Sequence, residues 1–276
     1  MLCKECQLNT ATTSEGLCDV CVTVAAYEAP PPAAAPAPGG GPAAWLRSPV
    51  GLGRAAMALL GVVVLTDLYA LWAATAVRGV MDDLISGEYG DDIARDAEHA
   101  DKLYSAAGGV QLVALVATCV VFLVWFHRVR VNAEAFDPHI HSKSRGWTVG
   151  SWFVPVVNLW FPRRIAIDIW DASGDRSKSL EAPAERETPW LINAWWTLWL
   201  VSLLAGRYAG RRYSAAEEPE EINSALTGMM VSDALDIAAA VLAILFVHRL
   251  TRRQDQKARS GPGVVPGGFP LGGLHG

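Results

Sequence analysis

The fold class this sequence predicts is an all-α integral membrane protein: about four transmembrane helices, one re-entrant or interfacial Trp/Pro segment, and a small N-terminal four-cysteine zinc ribbon. Three observations predict it. Hydrophobic residues make up 51% of the 276 and charged residues 18%, at a mean hydropathy of +0.23, and the apolar residues gather in long runs. Four of the five cysteines fall in the first 21 residues as two CxxC pairs. Lysine and arginine concentrate on alternate connections between the runs, as the positive-inside rule asks.

The first element is CKECQLNTATTSEGLCDVC, which sets Cys3 and Cys6, then Cys18 and Cys21, on either side of a short polar loop containing Gly16. Each CxxC turn presents two thiolates to one ion, and two such turns complete a tetrahedral four-sulfur site. The ion's binding energy can fold residues 1–28 in place of a hydrophobic core. The expected cofactor is therefore a structural Zn2+, with an iron site of similar spacing, a redox pair or an unmetallated tail as alternatives. Cys119, inside an apolar run, reads as a small buried side chain. Residues 1–29 hold one lysine against Glu5, Glu15, Asp19 and Glu28. That balance disfavours phosphate, so the partner expected for the ribbon is a cytosolic protein and not nucleic acid.

Residues 29–50, rich in Pro, Ala and Gly, read as a semi-extended linker that holds the ribbon near the membrane while it searches for a partner. A helical membrane domain is expected over 51–253 and a disordered Gly/Pro-rich tail over 254–276. The N-terminus lacks a basic start followed by an apolar stretch, so insertion is expected to use the first span.

Spans are expected at about 55–77, 103–126, 189–206 and 226–247, because a helix crossing ~30 Å of hydrocarbon needs about 20 residues. The remaining run, GWTVGSWFVPVVNLWFP from Gly146, is short and carries Pro155 and Asn158 internally. With the ribbon inside and this run not crossing, 17 of the 23 basic residues lie on the inner side; with it crossing, 10 do. Charge thus favours four crossings, with residues 146–172 interfacial or re-entrant and both termini cytosolic. Trp125, Trp147, Trp160, Trp170 and Trp190 then fall near the inner interface. The outer connections become Arg78–Lys102, markedly acidic, and Arg207–Glu221.

Within the spans, Asp67, Asp233 and Asp236 are expensive residues that read either as an ion path or as carboxyls hydrogen-bonded to neighbours such as Asn193, Thr66 or Ser232. Asn158 and Asn193 are further candidates for a ligand or ion path at the membrane boundary, against a purely structural anchoring role. His127, His139 and His141 share one connection, but no third ligand for a second metal accompanies the HIH pair.

The segment WFHRVRVNAEAFDP followed by GWTVGSWFVPVVNLWFPRRIAIDIW resembles the domain-of-unknown-function family 4328, multi-span membrane proteins common in actinobacteria. The residues that carry the resemblance are Arg128, Asn132, Gly146, Trp147, Trp152, Pro155, Asn158, Leu159, Trp160 and Pro162. It covers roughly Ala55 to Arg253 and implies a bacterial plasma membrane and the lipid bilayer as partner. It implies no activity, and some relatives carry a similar N-terminal ribbon.

No GxSxG, HExxH, P-loop or closely paired carboxylate motif is present. The leading expectation is a non-enzymatic adaptor or sensor whose ribbon docks a cytosolic protein. A small transporter or channel component using Asp67 and Asp236, and a membrane-embedded enzyme of unknown substrate, are the alternatives. Any of them is compatible with an oligomer.

Overall fold

A computed structural model describes residues 2–13, 16–21, 46–174 and 189–259. It divides into two compact units, Met1–Ala44 and Trp45–Gly276. Residues 22–28 of the expected ribbon, residues 29–45 of the expected 29–50 linker, and the tail beyond Arg259 lie outside the described residues.

In the second unit, four long helices carry the fold: α1 (Val50–Ile85), α2 (Asp91–Phe136), α5 (Trp190–Ala215) and α6 (Pro219–Arg259). Two short ones, α3 (Trp147–Gly150) and α4 (Phe161–Ala172), lie between α2 and α5. No strand occurs among the described residues; Leu2 and Thr10 form an isolated bridge. Of the four, α1, α2 and α6 are long and apolar enough to cross a membrane. The fourth, α5, has 26 residues, about 39 Å of helix, but Arg207, Arg211 and Arg212 near its end make it less apolar.

The helices outrun the apolar stretches that announce them. The expected outer loops are mostly helix: only Ser86–Gly90 and Ala216–Glu218 break the chain there. The acidic residues from Asp91 to Asp101 lie in the first turns of α2, where Asp91 and Asp92 complement the positive helix terminus. Gly87 (φ +87°) makes the turn that an L side chain resists. At the other end α6 continues past Arg253 to Arg259.

The register is fixed at both ends of α1. Arg78 Nη1 donates to Thr227 Oγ1 at 3.2 Å and Asn223 Nδ2 to Asp82 Oδ1 at 2.8 Å, so the end of α1 meets the start of α6. Gly53, near the start of α1, meets Thr251 near the end of α6. The two are antiparallel, and small buried residues, Ala70, Ala73, Ala74 and Ala239 among them, let the backbones approach. Outward-facing positions are apolar, including Leu65, Leu68, Trp72, Val113 and Leu204, which is the pattern of a lipid-facing surface. Cys119 is exposed on this surface, not buried as its sequence setting suggested, because its helix face looks away from the other helices.

Where α1 begins and α6 ends, the core is aromatic. Trp125, Phe126 and Phe246 are fully buried, and Trp195 stacks on Phe246 at 5.0 Å between ring centroids. Residues 146–172 form no continuous helix long enough to cross. They run through α3, turns, a 3-10 turn at Val157–Leu159, and the amphipathic α4, which buries Ile165, Ala166 and Ile169. Val156 sits at φ +69°, a costly conformation for a β-branched residue, and the Pro155 ring beside it denies the helix a backbone donor. Phe153, Val154, Val156 and Trp160 remain exposed around this break, apolar surface suited to lipid.

Candidate functional site

In the first unit the four cysteine sulfurs all lie within 4.8 Å of one another. The backbone sets them there. The Cys3 carbonyl accepts the Gln7 N–H at 3.0 Å, with Gln7 at φ +54°, which curls the first CxxC turn. The Cys3 N–H donates to Asn9 O at 2.8 Å and the Lys4 N–H to Gly16 O at 2.9 Å, closing the loop between the pairs. Gly16, at φ +83°, packs against the Lys4 stem, where a Cβ would come within 2.9 Å of Lys4 Cε.

The donor set fits a tetrahedral soft-metal ion. With metal–sulfur bonds of ~2.3 Å, tetrahedral sulfurs stand about 3.8 Å apart, and Cys6 Sγ and Cys18 Sγ are 3.7 Å apart. That separation is far from a disulfide bond, and all five cysteines are free. Backbone N–H groups, that of Cys6 foremost, hold the Cys3 thiol down to about 6, while Cys18 and Cys6 beside it push the Cys21 thiol up to about 12. Four thiols placed so cannot all ionise without a cation among them. Among the described residues this is the only group of three or more His, Cys, Asp or Glu donors at metal-ligand distance, so His127, His139 and His141 assemble no second site.

In the second unit the sequence-singled carboxylates come together through a residue that sequence reasoning missed. Gln111 Nε2, on α2, donates to Asp67 Oδ1 on α1 at 2.9 Å and reaches Asp233 Oδ1 on α6 at 3.4 Å. Ser202 on α5 donates to Asp236 Oδ1 at 3.1 Å, and Ser232 Oγ donates to the Ser202 carbonyl at 3.2 Å. All four long helices thus place a polar side chain in one layer. Asp67 stands about 21 Å along α1 from Gly53 and about 22 Å from Asp82, near the middle of the bundle.

The other two candidates, Asn193 and Asn158, lie elsewhere, and Thr66 does not serve the carboxylates. Asn193 Oδ1 accepts Arg163 Nε at 3.0 Å and Nη2 at 2.7 Å, far from the carboxylates it was expected to serve. Thr66 Oγ1 turns back to the Val63 carbonyl at 2.8 Å. Asn158 sits in the 3-10 turn, its N–H donating to Val154 O at 3.0 Å.

The family-motif residues surround the aromatic end. Trp152 packs edge-on against Phe126, Trp196 and Trp199, and Trp196 Nε1 donates to the Leu159 carbonyl at 2.8 Å, which ties the broken segment to α5. Pro162 occupies the first turn of α4, where a missing N–H costs nothing. Trp147 meets Phe161, and Trp160 is exposed. Arg128 donates to Ser48 O at 3.3 Å and Asn132 pairs with the Arg47 backbone.

Long helices with apolar outer faces, a mid-height polar layer and a separate cysteine cluster define a helical membrane protein with a candidate metal centre. The chain belongs to the family described as Domain of unknown function (DUF4328), which matches residues 91–252. That match starts at α2, so α1 and the cysteine cluster lie outside it, a shorter reach than the resemblance from Ala55 implied. No curated protein and no solved structure gives a match.

Proposed function

We propose that this is a multi-pass protein of the bacterial plasma membrane, both termini cytosolic, whose Zn2+-loaded N-terminal ribbon docks a cytosolic protein and which performs no catalysis itself. The observation that carries the reading is the ribbon's composition in space. Four sulfurs fill its interior, while Leu2, Leu8 and Val20 stand 64%, 84% and 61% exposed. Aliphatic side chains held out from a metal-folded scaffold suit a protein surface, and Glu5 and Asp19 beside them suit phosphate poorly.

The test compares in-cell crosslinking of the intact chain with a variant in which Cys3, Cys6, Cys18 and Cys21 are serine, with metal content measured on both. About one equivalent of zinc in the intact chain, and a partner captured by it but not by the serine variant or by Leu8→Asp, are the expected results. Identical capture by all three would remove the docking role.

A second reading, a small transporter or channel component, is favoured by one observation: the layer in which Gln111 joins Asp67 to Asp233 across three helices.

A further inference from the structure

We propose that Asp67 is a proton-binding site, its Oδ2 carrying an exchangeable proton in the membrane-embedded chain. The inference deepens the second reading and rests on the polar layer alone, since a proton that binds and never crosses also satisfies it. Asp67 is 3% exposed. Its Oδ1 takes the Gln111 amide at 2.9 Å, but its Oδ2 is buried without a hydrogen-bond partner. The same amide nitrogen also serves Asp233, so it has no further N–H to offer.

The charged and titratable groups facing this oxygen are all acids or neutral. Asp233 and Asp236 approach from α6, with Tyr104 of α2 beside Asp233, and α5 contributes the Ser202 hydroxyl. Among the described residues no ion pair joins any of the three carboxylates to a basic side chain. An ionised Asp67 would lie in a low-dielectric layer next to two further acids, an arrangement that demands a positive charge.

A metal ion is the wrong shape for the demand. Hard cations take six or more oxygens, yet the three carboxylates do not converge to metal-ligand distance, and Gln111 turns its nitrogen toward the acids. A proton needs one oxygen, and Asp67 Oδ2 is that oxygen.

Infrared difference spectroscopy on the full chain in lipid nanodiscs tests this, because a neutral carboxylic acid has a carbonyl band that a carboxylate lacks. At neutral pH the wild-type chain is expected to show the band, Asp67→Asn to lose it and Asp233→Asn to keep it. Raising the pH should remove it reversibly, and exchanging choline for Na+ at constant pH should not change it. Absence of the band from the wild-type chain overturns the proposal without recourse to any variant. Loss of the band on adding Na+, or in Asp233→Asn but not Asp67→Asn, overturns it as well. Proton flux into proteoliposomes separates site from transport: a band without flux keeps the site and removes the transport reading.

Discussion

Asn132 grips the backbone of Arg47 with both arms of its amide: Oδ1 accepts the Arg47 N–H at 3.2 Å and Nδ2 donates to the Arg47 carbonyl at 2.9 Å. The pairing fastens the chain just before α1 to the C-terminal end of α2. Behind it, Asn132 Nδ2 also reaches Gln254 Oε1 at 3.2 Å, and Gln254 Nε2 donates to Val129 O at 2.8 Å and to Ser173 Oγ at 3.1 Å. Asn132→Ala strips partners from a buried network, at a cost of ~1–3 kcal/mol. The expected result is a lower thermal midpoint in detergent and faster proteolysis around residues 46–49. An unchanged midpoint would mean that water replaces the clasp without loss.

Gly53 carries a second consequence of close packing. A Cβ there would stand 2.6 Å from Thr251 Oγ1, and that hydroxyl is held in place by Trp125 Nε1 at 3.1 Å. Gly53→Ala must therefore push α1 off α6, with an expected loss of ~1–3 kcal/mol. Gly61, one face away, meets nothing within 4 Å. Gly61→Ala is expected to leave stability unchanged or raise it by up to ~1 kcal/mol through helix propensity. Thermal unfolding of the two variants side by side checks the contrast, and equal effects would count against the contact at Gly53.

The candidate metal donors were readable because thiolate chemistry restricts which residues and spacings can hold an ion, and the apolar runs because lipid selects them residue by residue. What sequence could not supply was rotation about each helix axis. Gln111 reads as a tolerated polar residue in an apolar run, yet it is the hinge of the polar layer. Asn193 was expected beside the carboxylates and instead faces Arg163. Gln254 fell in what composition marks as tail, because the basic residues around it mask the one face of α6 that is buried. Helix ends were misplaced for a related reason: hydropathy reports depth in a bilayer, and a polar helix leaving the bilayer looks like a loop.

Acid should loosen the connection between α2 and α3 before it touches the bundle. Burial, then the Arg130 charge, holds His141 below the ordinary histidine value of 6.5. A base with a depressed folded value is neutral in the fold, so its contribution is complete above 6.5 and declines as the unfolded chain takes up protons below it. Arg145, whose Nε lies 2.6 Å from Glu134 Oε2, holds that carboxyl below its ordinary 4.5, so its contribution is present above that value and is lost as pH falls through the folded one. Hydrogen exchange over residues 137–146, corrected for intrinsic rates, should rise below about pH 6.5, and His141→Gln should abolish that first step. A step unmoved by His141→Gln would assign it to another group.

The two ends of the bundle differ in charge, and this difference decides a topology test. Arg128, Arg130, Arg145, Arg163, Arg249 and Arg252 lie at the end where α1 begins, while Asp82, Asp83, Asp91, Asp92 and Glu220 lie at the other. The positive-inside rule predicts the first end to be cytosolic, the orientation proposed above. Ser173, at that end, is 4% exposed and hydrogen-bonded to Ile169 O, so a thiol there would be silent from either side. Ser144 and Ser214 are exposed and stand at opposite ends. A membrane-impermeant thiol reagent, read peptide by peptide, is expected to label Ser214→Cys in intact cells and Ser144→Cys only after permeabilisation. Between these positions lie the broken segment and α5. If both crossed, or neither did, the two thiols would share a side, so labelling of both from one side would refute four crossings.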